Sequence, residues 1–413
     1  MTAAAYLFAH DLLDEGVDLV LQRLHDAGLD QVVMAAAYHH SRDVFPHNPR
    51  RKVRYLEGGS VYFHPDLGRY VEAGLQPHVA AVAQTQDPLA ALVESGRRRG
   101  VRVAVWMVML HNTRLAFQAP ECAPVTVFGD PLLNSLCPAN PRVRAFATAL
   151  AGDVSRYAPD SIKLEAASYM PFDHGYHHER SFVPLSPNVR YLLGVCFCDH
   201  CLARARAADV DGERVRQRVA ELVGAVFESA RFETAEADVE ESRLRAECDG
   251  ELGRYLDMRR DVVSSLVGEI AAAVHAESPS TRMVFLDLSG ATLGYATGRP
   301  NTDDPAVSIA WRDGVDPAAV AGAGDGLGML GYFAALDRFE REVAAYQRVL
   351  PADRPLEVIL RPMPPDVDSP LALADKLAVL RRAGIDDVAF YHYGFMRLES
   401  VGWIGAAIAT RHS

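Results

Sequence analysis

Eight short apolar runs alternate with amphipathic stretches along the chain: Tyr6–Ala9, Gln31–Ala37, Val101–Leu110, Ser161–Glu165, Met283–Asp287, Gly328–Phe333, Leu356–Arg361 and Asp387–Tyr391. Their length and apolar content predict buried strands. Helical spacing follows most of them, at Glu15–Ala27, Pro88–Arg99, Arg142–Tyr157, Asp261–Ala276, Asp337–Val349, Leu371–Ala383 and Val401–Ala409. Within Asp261–Ala276, Val262, Val263, Leu266, Val267, Ile270, Ala271 and Val274 fall on one helical stripe. Gly28, Gly100 and Gly384 stand just past helix ends, where a left-handed residue closes the last turn.

Strand and helix in regular alternation predict an α/β fold, a (β/α)8 TIM barrel occupying residues 1–413 as a single domain. A barrel needs ~250 residues. The surplus lies in a loop at 38–86 and in a helical insertion at 168–258 after the fourth strand. The competing architecture is a doubly wound open sheet, but no G-x-G-x-x-G follows the first strand to support its dinucleotide-binding form. In barrels the loops after the strands build the active site, so both surplus segments are expected to shape a pocket.

Composition narrows the function classes. Hydrophobic residues at 49% and charged residues at 23% are globular values. A net charge of −12 argues against nucleic-acid binding, which needs a basic face. Only Lys52, Lys163 and Lys376 are lysines among 42 basic residues, a skew read as base composition of the gene. The start, Met1-Thr-Ala-Ala-Ala-Tyr6, lacks the basic and apolar parts of a signal peptide, and no uncharged apolar run reaches membrane-spanning length. A soluble, cytoplasmic protein with no membrane partner is expected, and a homo-oligomer stays open.

Cys196-Phe-Cys198-Asp-His-Cys201 is too tightly spaced for useful disulfides and suits a thiolate metal site, with Cys137 of Leu136-Cys137-Pro138 as fourth ligand and zinc as the ion. Cys122, Cys248 and His200 are rival fourth ligands. Between the two cysteine segments runs Ser161-Ile-Lys163-Leu-Glu165. Residues two apart share a strand face, so Lys163 and Glu165 are expected to face the barrel axis, with Glu165 at the mouth. One reading is a catalytic carboxylate held by a neighbouring cation; the other is a structural ion pair.

Histidines and aromatics gather after the strands: Tyr38-His39-His40, His111-Asn112, His174-Gly-Tyr-His177-His178-Glu179, and Tyr391-His392-Tyr393. These groups, with Lys163 on the fourth strand and Arg361 at the end of the seventh, are candidate substrate contacts, because imidazoles and amides bond hydroxyls and aromatic faces stack on sugars. Core packing is the expected role of Trp106 and Trp311. A catalytic metal on His174, His177, His178 and Glu179 is the alternative use, although no H-E-x-x-H is present.

The order Cys-Pro, helix, strand ending in Glu, then C-x-C-x-x-C resembles the middle of the family 42 glycoside hydrolases and related barrel glycosidases, over roughly residues 135–205. The resemblance implies that Glu165 is a catalytic carboxylate and that the cysteine site braces loops near the pocket. Family 42 enzymes carry Asn-Glu where this chain has Leu164-Glu165, and the Lys-x-carboxylate order is similar to a barrel-glycosidase group in which that carboxylate is the nucleophile. Acid/base and nucleophile therefore both stay open for Glu165. Their second carboxylate ends the seventh strand, where this chain reads Leu356-Glu-Val-Ile-Leu-Arg361. Glycoside hydrolysis generally takes two carboxylates, and Asp287, at the end of the fifth strand, is the first choice of partner, with Asp366 and Asp173 as rivals. The function this implies is hydrolysis of a small soluble glycoside. The alternatives are a carbohydrate-binding relative without catalysis, or a metal-dependent isomerase, lyase or hydrolase using the histidines.

Overall fold

Alanine opens the barrel. The computed structural model describes residues 2–174, 180–183, 185–229, 238–292, 297–300 and 302–409, and its first strand is β1 (Thr2–Leu7). Ala3, Ala4 and Ala5 are buried on both sides, so the strand starts four residues before the expected run at Tyr6. Alanine carries no β-branched signal, which hides such a start from sequence patterns. The other strands fall where expected, with ends shifted by a few residues: β2 (Gln31–Tyr38), β3 (Arg102–Val108), β4 (Ser161–Glu165), β5 (Arg282–Asp287), β6 (Leu327–Leu330), β7 (Leu356–Leu360) and β8 (Asp387–Phe390). Each pairs in parallel with its neighbours, and β1 bonds both β2 and β8, so the sheet closes into an eight-stranded barrel. Closure excludes the doubly wound alternative.

The helix expected at Glu15–Ala27 is two, Ala9–Glu15 and Val17–Asp26, parted at Gly16 with φ +100°. The segment at 38–86 is more than a loop. It holds an antiparallel hairpin, Ser41–Val44 with Val53–Leu56, and Ser60–Val61 pairs antiparallel to the end of β2. The excursion after β4 is helical, with Pro187–Gly194, Asp199–Ala207, Gly212–Glu228 and Glu241–Ala246. A 27-residue helix, Glu251–Glu277, then returns the chain to β5. It begins inside the expected insertion and lies along Pro141–Ser155. Buried Arg144 of that partner helix donates to Glu269 at 2.6 Å and to the Val262 carbonyl at 3.2 Å.

In β4, Ile162 and Leu164 are fully buried against the helices, while Lys163 and Glu165 face the axis. Lys163, 1% exposed, pairs with Glu357 of β7 across the interior. This is the structural ion pair, and Lys163 does not hold Glu165. Lys163→Met is expected to cost about 3–5 kcal/mol, because it leaves Glu357 charged and alone in the barrel. Lys163→Met with Glu357→Leu is expected to recover most of that loss in denaturant titrations. Equal destabilisation in the single and double variants would refute the pairing.

Candidate active site

Strand alternation aims one set of side chains at the axis. Tyr6 of β1, Trp106 of β3, Glu165 of β4, Leu286 of β5, Leu330 of β6 and Ile359 of β7 line a cavity of about 440 Å³ at the strands' C-terminal ends. That volume suits a small ligand. Trp106 Nε1 donates to Glu165 Oε2 at 2.6 Å. Burial pushes the Glu165 carboxyl up to about 7, against the opposing Trp106 hydrogen bond. The group therefore exchanges its proton near neutrality, as general acid–base chemistry requires. Trp106, expected to pack in the core, is buried there and lines the cavity as well. The available signal was its register, since Trp106 pairs beside Lys163 and so shares the inward face of Glu165.

Asp287 does not join Glu165. Leu286 and Leu288 line the cavity, and Asp287 between them points outward. It is 2% exposed, accepting from Tyr346 Oη at 2.6 Å, on the helix Leu336–Val349, and from Ser289 Oγ at 2.7 Å. The expected pairing placed it by its position at a strand end, but alternation turns that position toward the helices. The rivals are engaged elsewhere: Asp366 Oδ1 accepts from Arg361 Nη2 at 2.8 Å, and Asp173 accepts from Arg190 at 2.6 Å. Two other carboxyls line the cavity. Asp43, on the hairpin after β2, accepts from Ser41 Oγ at 2.6 Å. Asp313 comes from the loop after β5, and burial pushes its carboxyl up to about 7 while Arg259 draws it down. Asp313 ends a short 3-10 helix, Ala306–Asp313, that sequence patterns did not resolve as an element, so nothing in them fixed the direction of its side chain.

The histidine groups divide. His39, His111 and His174 line the cavity, with His39 and His111 stacked at 4.5 Å and His111 meeting His174 at 4.8 Å. Burial lowers all three, His39 to about 4, so their rings are neutral near pH 7. The His111 Nε2 atom has no hydrogen-bond partner among the described residues. Tyr38 and Tyr391 also face the cavity. His40 stands behind His111 at 6.1 Å, with its Nδ1 3.4 Å from Thr113 Oγ1. Asn112 caps the helix Thr113–Gln118, its Oδ1 accepting from Leu115 N at 3.0 Å, and is buried away from the cavity. His392 is a core residue, 0% exposed, its ring 4.2 Å from Phe8 and its Nδ1 accepting from Gly394 N. Arg361 lies behind Tyr332, its guanidinium 4.3 Å from that ring. His177, His178 and Glu179 lie outside the described residues.

Cys137, Cys196, Cys198 and Cys201 bring their sulfurs within 4.8 Å of one another. Cys137 Sγ lies 3.8, 3.6 and 3.6 Å from those of Cys196, Cys198 and Cys201. Disulfide sulfurs bond at ~2.05 Å, whereas a tetrahedron with metal–sulfur bonds of ~2.3 Å has edges of ~3.8 Å. The four thiols thus fit one metal ion, and Cys122, Cys248 and His200 are not part of the group. Among the described residues no other set of histidine, cysteine or acidic side chains has ligand atoms this close. The cysteine site reaches the cavity through Tyr169: its hydroxyl is 3.3 Å from Cys201 Sγ, and its amide donates to the Asp313 carbonyl at 3.1 Å. The neighbouring Ser168, Met170 and Pro171 line the cavity. Both the loop after β4 and the helical excursion are therefore tied to this centre.

No family model and no curated protein matches the chain. Solved structures do. The α-L-fucosidase isoenzyme 2 of Paenibacillus thiaminolyticus superposes with a TM-score of 0.56 at 13% identity, over 99% of this chain and 49% of the enzyme. The β-galactosidase of the Antarctic haloarchaeon Halorubrum lacusprofundi gives 0.56 at 14% identity, over 98% and 57%. Gan42B, a GH42 β-galactosidase, gives 0.56 at 10% identity, over 98% and 56%. The chain thus spans about half the length of these enzymes. What it shares with them is the barrel fold, the architecture expected from the resemblance.

Proposed function

We propose that this protein hydrolyses a small glycoside in the barrel-mouth cavity, with Glu165 as general acid. The supporting observation is a carboxyl at the end of β4 that lines the cavity, is raised to about 7 and meets a single indole N–H. In its protonated form Glu165 donates to the glycosidic oxygen as the bond to the anomeric carbon breaks. Neutral His39, His111 and His174 each offer one donor and one acceptor to hydroxyl groups. Tyr6, Tyr38 and Tyr391 give the apolar face of a sugar ring something to stack on. Cys137, Cys196, Cys198 and Cys201 would hold zinc, which with four thiolates keeps no open position and supplies structural bracing. Such a site needs unoxidised cysteines, so the reading extends to a reducing, cytoplasmic setting. Among the described residues no helix is long and apolar enough to cross a membrane.

The test is turnover of a panel of aryl glycosides between about pH 5 and pH 9. The rate is expected to fall as pH rises through about 7, where Glu165 loses its proton. Trp106→Phe removes the hydrogen bond that favours the carboxylate, so that limb is expected to move to higher pH. A profile flat to the alkaline end would remove Glu165 as acid. Binding without turnover would favour the carbohydrate-binding alternative, whose motive is the lack of a glutamate where β7 ends at Leu360.

A further inference from the structure

We propose that Asp313 is the second carboxylate of the site, working as base or nucleophile with Glu165 as the acid. The assignment rests on the glycosidase reading above and deepens it. Asp313 and Glu165 line one cavity from adjacent loop and strand ends. The Asp313 carboxylate accepts no hydrogen bond and makes no ion pair among the described residues, unlike Asp43, Asp173, Asp287 and Asp366. A half-buried carboxyl that lines a cavity without a protein partner is placed to meet a substrate.

Its position is secured through the backbone. The Asp313 carbonyl takes the Tyr169 amide at 3.1 Å. The next residue, Gly314, sits at φ +71° with Tyr169 so close that a Cβ would lie 2.9 Å from its ring. Tyr169 is itself held between Cys201 and the Arg259 guanidinium, 4.3 Å from its ring. The two carboxyls also differ in surroundings. Burial pushes both carboxyls up to about 7; at Asp313 the Arg259 and Arg312 cations oppose that shift and Asp287 adds to it, whereas Glu165 meets only the Trp106 N–H. The guanidinium groups near Asp313, and the lone indole N–H at Glu165, are the ground for taking Asp313 as the base or nucleophile and Glu165 as the acid.

The electron pair for the new bond at the anomeric carbon comes from an Asp313 oxygen, or from a water that Asp313 deprotonates. The electrons of the broken bond go to the leaving oxygen, which takes the Glu165 proton. In the direct case, water activated by Glu165 then releases the sugar, so one glycoside and one water give one sugar and one alcohol.

The experiment compares Asp313→Asn, Glu165→Gln and Asp287→Asn on aryl glycosides of graded leaving ability. Asp313→Asn is expected to lose about 10³-fold in kcat/KM on every substrate. Glu165→Gln is expected to lose progressively less as the leaving group needs less help from a proton. Asp287→Asn is expected to keep wild-type turnover. Wild-type rates in Asp313→Asn, or the same loss appearing in Asp43→Asn instead, would overturn the assignment. A wild type inert on all substrates would overturn the glycosidase reading, and calorimetry would then judge Asp313 separately. There, preference for a cationic iminosugar over its neutral sugar should appear in the wild type and vanish in Asp313→Asn; equal affinities in the wild type would sink Asp313.

Discussion

Glu165→Gln is expected to lower kcat on alkyl and unactivated aryl glycosides by about 10²–10⁴-fold, with KM little changed. The amide keeps the size of the side chain and can still accept from Trp106, so the cavity stays intact while the transferable proton is gone. The same substitution is expected to stabilise the fold at alkaline pH. Burial raises the Glu165 carboxyl from 4.5 to about 7 in the folded state, so folding favours the protonated form. Its contribution is fully present below the unfolded value of about 4.5 and is lost as pH rises through about 7. Glutamine cannot ionise and escapes that loss, which amounts to at most about 3 kcal/mol for a part-buried group. Thermal unfolding of both proteins should therefore diverge from about pH 5 to pH 8, with the variant the more stable at the upper end. A variant that turns over normally, or is equally destabilised at both pH values, would remove Glu165 from the chemistry and from the pH dependence together.

Loss of a metal held by the four cysteines is the second large effect expected. Cys196→Ser, or exhaustive chelation, is expected to cost on the order of 5 kcal/mol, since binding energy at a structural thiolate site is folding energy. Cys196 has a further bond in the loop after β3, where Val125 N donates to its sulfur at 3.3 Å, and its carbonyl accepts from Tyr255 at 2.7 Å. Its removal should loosen that loop and the helical excursion together. Metal analysis should find one ion per chain, and cobalt substitution should give the thiolate charge-transfer bands of a tetrahedral site. Protein purified without metal, whose melting temperature ignores chelator, would refute the centre. Because Tyr169 joins Cys201 to Asp313, partial loss of metal should also weaken iminosugar binding before the barrel unfolds.

The barrel was legible because burial on both sides of a parallel strand demands continuous apolar runs, and eight of them were visible between helical stretches. The weak points were physical too: the alanines of β1 lack β-branching, and Gly16 splits one expected helix with a positive φ. The cysteine centre was legible since three of its four cysteines lie within six residues, Cys196 to Cys201. Choosing Cys137 over Cys122 needed the fold, for both sit in the same stretch after β3.

The sequence by itself determined the strand order, three of the four cysteines of the thiolate site and an inward Glu165, because period and spacing are local properties of a chain. Only the tertiary structure decided what surrounds that carboxylate. It gave Lys163 to Glu357, turned Asp287 toward Tyr346, buried His392 against Phe8, and brought Trp106 and Asp313 to the cavity. Each of these outcomes depends on which side chains converge when the sheet closes on itself and long loops fold over its mouth. Contacts between residues far apart in sequence leave no period to read, so the partner of a buried charge is settled by closure.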